Sequence, residues 1–338
     1  MRQSTVRARA FGAALAATAT LAQADPAYRL VDLGAGYTAY QVDQQGLVAG
    51  SENNVQPVVH KGQQWHDILY DDSNGAYAIG VDGWGDTVAD YTDTDTSHYV
   101  MIAYPNGDSS TVAAPFPTNV NYATGISPGG TVIGFAYDHA VPKCYVWNGG
   151  NPKLIKTPGD NCVANGINAK DQVTGGTNTV AGGHAQAFVW NKGVLHLLGA
   201  FGGTDAWGVG ITAQGHVAVK VQTAASTLAG LYADGAFVDL GMPAGGLGAW
   251  PTSINRHDQV VGSWYDLDAD GHAVYRTFLW SDGRMLDLPS LVDLPAGWSL
   301  TDPNNGGGPQ SINDKGVIVG NGMLDGVYHG YMLVPTRR

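Results

Sequence analysis

One eleven-residue phrase occurs three times in this chain, and it constrains the fold more than any other feature. Asn165-Gly-Ile-Asn-Ala-Lys-Asp-Gln-Val-Thr-Gly175 is matched by Thr252-Ser-Ile-Asn-Arg-His-Asp-Gln-Val-Val-Gly262 and by Gln310-Ser-Ile-Asn-Asp-Lys-Gly-Val-Ile-Val-Gly320. Each copy reads as a short strand closing on Ile-Asn, a tight turn, and an alternating Val-rich strand closing on Gly, the pattern of a β-hairpin. Weaker copies at 39–50, 76–90, 123–134 and 207–219 bring the number to seven. Their turn residues, Gly46, Gly85, Gly130, Asp171, Gly215, Asp258 and Gly316, are separated by 39, 45, 41, 44, 43 and 58 residues. That period matches four short strands with their turns, one blade of a β-propeller, with one insertion before the last unit.

The second half of each unit fits the same reading. Ala187-Phe-Val-Trp-Asn-Lys-Gly193 followed by Val194 to Gly199, and Thr277-Phe-Leu-Trp-Ser-Asp-Gly283 followed by Arg284 to Leu288, are strand, glycine turn, strand. The last unit stops after its third strand, Gly330 to Pro335, and the chain opens on an unmatched strand, Tyr28 to Gly34. Pairing these two completes a seventh blade and removes the exposed edges that invite aggregation. The expected fold is therefore all-β, a seven-bladed β-propeller over residues 25–338, closed by pairing the N-terminal strand with the last blade. Composition agrees, with 48 glycines and Glu52 as the only glutamate among 29 acids. Aspartate favours turns where glutamate favours helices, so almost no helix is expected.

Residues 1–24 read as a secretory leader, with Arg2, Arg7 and Arg9 before an Ala-rich apolar stretch and Ala22-Gln23-Ala24 as the cleavage site. That apolar stretch is too short to span a bilayer, and no later one reaches the ~20 apolar residues that a spanning helix needs. The expectation is a secreted or periplasmic monomer without a membrane span. Removing the leader strips three arginines from a chain whose formal charge is already −12. Nucleic acid, which is bound by Lys and Arg displacing counterions, is excluded as a partner on that balance. Cys144 and Cys162 are the only cysteines, and in an exported chain they read as a disulfide, with a two-cysteine zinc site as the alternative.

The phrases Ala187-Phe-Val-Trp190, Ser253-Ile-Asn255 and Val260-Val-Gly262 resemble the HAF family of extracellular repeat proteins, over most of residues 28–335. The resemblance implies export and repetition and no established activity. The sequence departs from the family at the naming histidine, four residues before the Trp position. That position holds Gln56, Val100, Lys143, Gln186, Leu228 and Arg276, and only His329 keeps the histidine.

The loops entering the innermost strands converge on one mouth of a propeller channel. They carry Tyr37, Tyr77, Tyr122, Asp205, Trp207, Trp250, Trp298 and Asp302. Aromatic faces beside Asp and Asn suit sugar-ring stacking with hydroxyl recognition, so the expected partner is a glycan or another extracellular polymer. Loops on the same face carry Asp90, Asp93 and Asp95, and then Asp266, Asp268 and Asp270, which match the opening half of a calcium loop but lack its closing acid. His98, His139, His184 and His272 fall near those loops, which keeps a polysaccharide lyase or hydrolase in view beside a non-catalytic binding protein and a structural surface protein. Trp147, Trp190 and Trp280 are expected to pack between blades, and Asn168, Asn255 and Asn313 to stabilise turns.

Overall fold

The computed structural model describes residues 27–62, 64–68, 75–93, 96–302 and 307–336. The proposed leader lies outside the described residues, as does Asp95. Among the described residues the chain forms seven antiparallel sheets arranged as the blades of a seven-bladed β-propeller, and a three-residue 3-10 turn, Pro289–Leu291, is the only helical element. Among the described residues no helix is long and apolar enough to cross a membrane.

Blade one comprises Tyr37–Val42, Val48–Glu52, Gln56–Lys61 and Gln64–Asp67 from channel to rim. Blades two to six repeat this order from inner strands Gly75–Val81, Asn121–Ile126, Cys162–Ile167, Asp205–Ile211 and Gly248–Ile254. Blade seven takes Gly308–Ile312, Ile318–Leu324 and Val327–Pro335, and Tyr28–Ala35 is its outer strand. The register runs Tyr28↔Pro335 to Ala35↔His329, so the ends complete one blade as the sequence implied. The insertion before blade seven adds a short strand, Trp298–Ser299, on Met323 and Leu324. It also sends Leu288, Val292 and Leu300 into the core between blades six and seven.

Every inner strand breaks register at one point. The shifts fall between Ala39 and Gln41, Ala78 and Gly80, Ala123 and Gly125, Ala164 and Gly166, Gly208 and Gly210, Pro251 and Ser253, and Pro309 and Ser311. A bulge adds an unpaired residue and local twist, and so re-aims a side chain. Here it turns one residue per blade into the channel.

Fully buried aromatic residues fill the centres of the wedges between blades, and Trp147, Trp190 and Trp280 pack at their margins. Tyr145, Phe188, Phe278 and Tyr331 are fully buried, opposite Gly134, Gly175, Gly262 and Gly320 of the adjoining second strands. A Cβ on Gly262 would lie 2.7 Å from the Phe278 ring, and one on Gly134 would lie 2.7 Å from the Tyr145 hydroxyl. The glycine that closes each sequence phrase is thus the space that the aromatic ring occupies. Trp147, Trp190 and Trp280, two residues farther along the same strand face, are only partly buried against the clusters. The wedge centre belongs to the residue two positions earlier.

Candidate functional site

The channel is a cavity of about 450 Å³ lined by all seven inner strands. The bulged residues Tyr40, Ile79, Thr124, Asn165, Val209, Thr252 and Gln310 form a complete ring around it. Its charged lining residues are Arg256 and Asp314, which sit in the turns after the inner strands. At the opposite mouth a second cavity, about 500 Å³, opens between blades seven and one. It is lined by Tyr40 and Tyr328, by Thr38, Asn53, Asn54, Gln310 and Asn321, and by Gly36. None of the eight carries a charge.

The phenols form a cluster there. The Tyr40 and Tyr77 rings meet edge to face at 6.2 Å. Burial pushes the Tyr40 phenol up, and hydrogen bonding to Ser51 and Thr38 works against that rise. Tyr328 is raised by burial first and then by the nearby Tyr40 and Asp302. Tyr77 and Asp302 therefore stand beside the cavity. Tyr40, Tyr328, Asn53 and Asn54 complete it without having been singled out in the sequence. The two asparagines lie in the turn between the second and third strands of blade one, which the fold brings over the mouth.

Tyr77, Tyr122, Trp207 and Trp250 share one strand position, two residues before each bulge. Each heads a separate aromatic contact around the rim. Tyr122 lies 4.7 Å from the His98 ring and 5.2 Å from Phe135. Trp207 packs over Gly176, with the Lys220 ammonium 5.8 Å from its ring. Trp250 contacts Tyr265 and Tyr275 at 6.3 and 6.1 Å. The structure spreads these residues around the ring and does not gather them into one pocket.

Tyr37 occupies a different register. It sits one residue before the shared position, and a one-residue offset sends a strand side chain to the other face of its sheet. Its ring stacks on Trp65 at 4.9 Å, at the outer strand of its own blade. Trp298 is turned from the mouth for another reason: the insertion carries it onto the His329 ring at 5.5 Å and the blade-seven core.

Asp205 braces two blades. Its carboxylate accepts the Ala185 N–H at 2.7 Å and lies 3.0 Å from His184 Nδ1. Asp266 forms a two-pronged ion pair with Arg276, at 3.1 and 3.2 Å. The donors that converge on that loop are Asp268, Asp270 and His272, all exposed and within 4.8 Å of one another. Asp268 also accepts the backbone N–H groups of Asp270 and His272 at 2.9 Å. Asp266, engaged by Arg276, thus stands outside this group, which supplies two carboxylates and an imidazole.

Cys144 and Cys162 form a disulfide between the third strand of blade three and the inner strand of blade four. A disulfide fits an extracellular or periplasmic compartment.

No family model matches the sequence, and no curated protein matches it. Solved structures do match. TolB from Acinetobacter baumannii is 13% identical, with a TM-score of 0.48 over 74% of this chain and 61% of that protein. The chain thus spans less than two thirds of that TolB. Virginiamycin B lyase from Staphylococcus aureus is 8% identical, with a TM-score of 0.56 over 91% of this chain and 99% of the lyase. YCF48 bound to D1 peptide is 11% identical, with a TM-score of 0.54 over 92% of this chain and 96% of that one. The last two share the propeller fold with this chain, and at such identities the likeness is of fold alone.

Proposed function

We propose that this chain is an exported binding propeller that holds a neutral glycan in the cavity between blades seven and one. The observation that carries this reading is a concave lining of phenol faces, amides and hydroxyls, with no charged side chain among the described lining residues. Tyr40 and Tyr328 offer apolar surface to a sugar ring, and Thr38, Asn53, Asn54 and Gln310 offer donors and acceptors to its hydroxyls. An anionic polymer would leave its carboxylates without cationic partners there. The resemblance of the sequence phrases to the HAF repeat proteins supports the same proposal, and residues 1–24 support export.

The test is binding of the mature chain to an array of neutral and uronate-bearing glycans, with peptides as a separate panel. Binding confined to neutral glycans is the expected result. Binding to peptides alone, or turnover of a polysaccharide, overturns it.

A further inference from the structure

In the turns that follow the inner strands, one residue position links neighbouring blades by hydrogen bonds. In blades four, six and seven that position is Asn168, Asn255 and Asn313. Each Oδ1 accepts two N–H groups of its own turn, at 2.9 to 3.1 Å. Each Nδ2 donates to the equivalent carbonyl of the next blade: Asn168 to Thr212, Asn255 to Asn313 and Asn313 to Asp43, at 2.7, 3.0 and 2.8 Å.

In blades one and two the same position holds Asp43 and Asp82. Asp43 Oδ1 accepts from Gln45, Gly46 and Leu47, and Asp82 Oδ1 accepts from Trp84 and Asp86. One oxygen thus does the work of the asparagine Oδ1, which leaves Oδ2 at the place of the donating Nδ2. Both Oδ2 atoms are buried without a hydrogen-bond partner. Asp82 Oδ2 lies 3.3 Å from where a Cβ on Gly130 would stand, in the turn of blade three.

The pattern repeats at the other end of the blades. Asn321 binds blade one through both amide atoms, accepting from the Ala39 N–H at 2.8 Å and donating to the Ala39 carbonyl at 3.0 Å. Asp90 stands at that position in blade two and accepts from the Ala123 N–H of blade three at 2.7 Å. Its second oxygen again takes the place of an amide that donates.

We infer that Asp43, Asp82 and Asp90 are neutral carboxylic acids whose second oxygens carry the proton that asparagine supplies elsewhere, and that ionising them loosens blade two from blades one and three. A carboxylate facing a carbonyl oxygen has no proton to share and is repelled; a carboxylic acid donates. Ionisation releases each proton to solvent and leaves a buried charge.

The surroundings favour the neutral form. Burial raises Asp43 against the pull of its turn N–H groups and of Lys315, the cation facing it from blade seven. Burial likewise raises Asp82, whose charged neighbour is Asp86. Asp90 is pushed up to about 8 by burial, and the phenols of Tyr122 and Tyr145 face it. The sign follows: stability is complete below the ordinary carboxyl range and declines as pH rises through these raised values.

The test compares melting of the wild-type chain with the D43N/D82N/D90N variant between about pH 4 and about pH 9. The wild-type Tm is expected to fall with rising pH by roughly 5 °C more than that of the variant. Parallel curves overturn the proposal. Infrared spectra of the wild-type chain with isotope-labelled aspartate provide a second reading that needs no variant. A protonated-carboxyl stretch near neutral pH, fading toward about pH 9, is expected. Carboxylate bands alone overturn it.

Discussion

His329 Nδ1 lies 2.8 Å from Asp32 Oδ1, joining the third strand of blade seven to the N-terminal strand across 297 residues of sequence. His329 is buried at this seam, under the edge of the Trp298 ring. The one repeat with a histidine at this strand position is thus the repeat that closes the ring. His329→Ala should cost about 1 kcal/mol, because Asp32 is partly exposed and water replaces much of the bond. Calorimetry would register a fall of roughly 3 °C. Deleting Tyr28–Ala35 exposes the edge of Val327–Pro335, and light scattering should then show concentration-dependent association.

Two glycines separate packing from backbone strain. A Cβ on Gly262 would collide with the Trp250 carbonyl and lie 2.7 Å from the Phe278 ring. Gly262→Ala should cost about 3 kcal/mol or more through overpacking. Gly215, at φ 93° with nothing within 4 Å of its Cβ position, has only the strain of left-handed backbone to offer. Gly215→Ala should cost about 1 kcal/mol in denaturant unfolding. Equal losses at the two sites would contradict the wedge assignment.

The disulfide closes a loop with a sequence separation of 18 and staples blade three to blade four. Replacing Cys144 and Cys162 together with alanine should lower stability by about 3 kcal/mol on the loop-entropy argument. Both cysteines are buried. Reductant should therefore reach the bond slowly under native conditions and fast above the unfolding transition, as thiol labelling would report.

His216 joins blades five and six by a different chemistry. Its Nδ1 lies 2.9 Å from Asp258 and its Nε2 lies 3.4 Å from Asp234. Burial lowers the imidazole, but hydrogen bonds and charge from Asp258 and then Asp234 outweigh it, and the net shift is upward. Its contribution is complete below the ordinary imidazole range and disappears as pH rises through the raised value. His216→Gln should cost about 1 kcal/mol at about pH 5 and little at about pH 9. A loss that does not vary with pH would show that packing alone was removed.

Ligand binding should divide the tyrosines. Tyr328→Ala removes one face of the uncharged cavity and should weaken glycan binding roughly tenfold, the value of one ring stack. Tyr37→Ala should leave affinity unchanged, since that ring stacks on Trp65 away from the cavity. Titration calorimetry distinguishes the two, and a larger effect from Tyr37 would move the site.

The ring is legible along the chain, in seven hairpins of near-equal spacing and in two end strands that each lack what the other supplies. That information is local, because turn chemistry, strand alternation and the final glycine of each phrase act within a few residues. The sequence also brought forward the cysteine pair and Tyr77, Tyr122, Trp207 and Trp250, which the structure sets at one strand position. Tertiary structure decided which side chains face the channel, because the bulge in each inner strand shifts the alternation by one residue. It turned Tyr37 toward Trp65 and the bulged Tyr40 into the channel. It assembled the uncharged cavity from Tyr40, Asn53 and Tyr328, whose meeting depends on the closure of blade seven onto blade one. It also decided the role of Asp43, Asp82 and Asp90. In sequence they resemble any aspartate near a turn; only the neighbouring blade shows that each carboxyl stands where an amide donates.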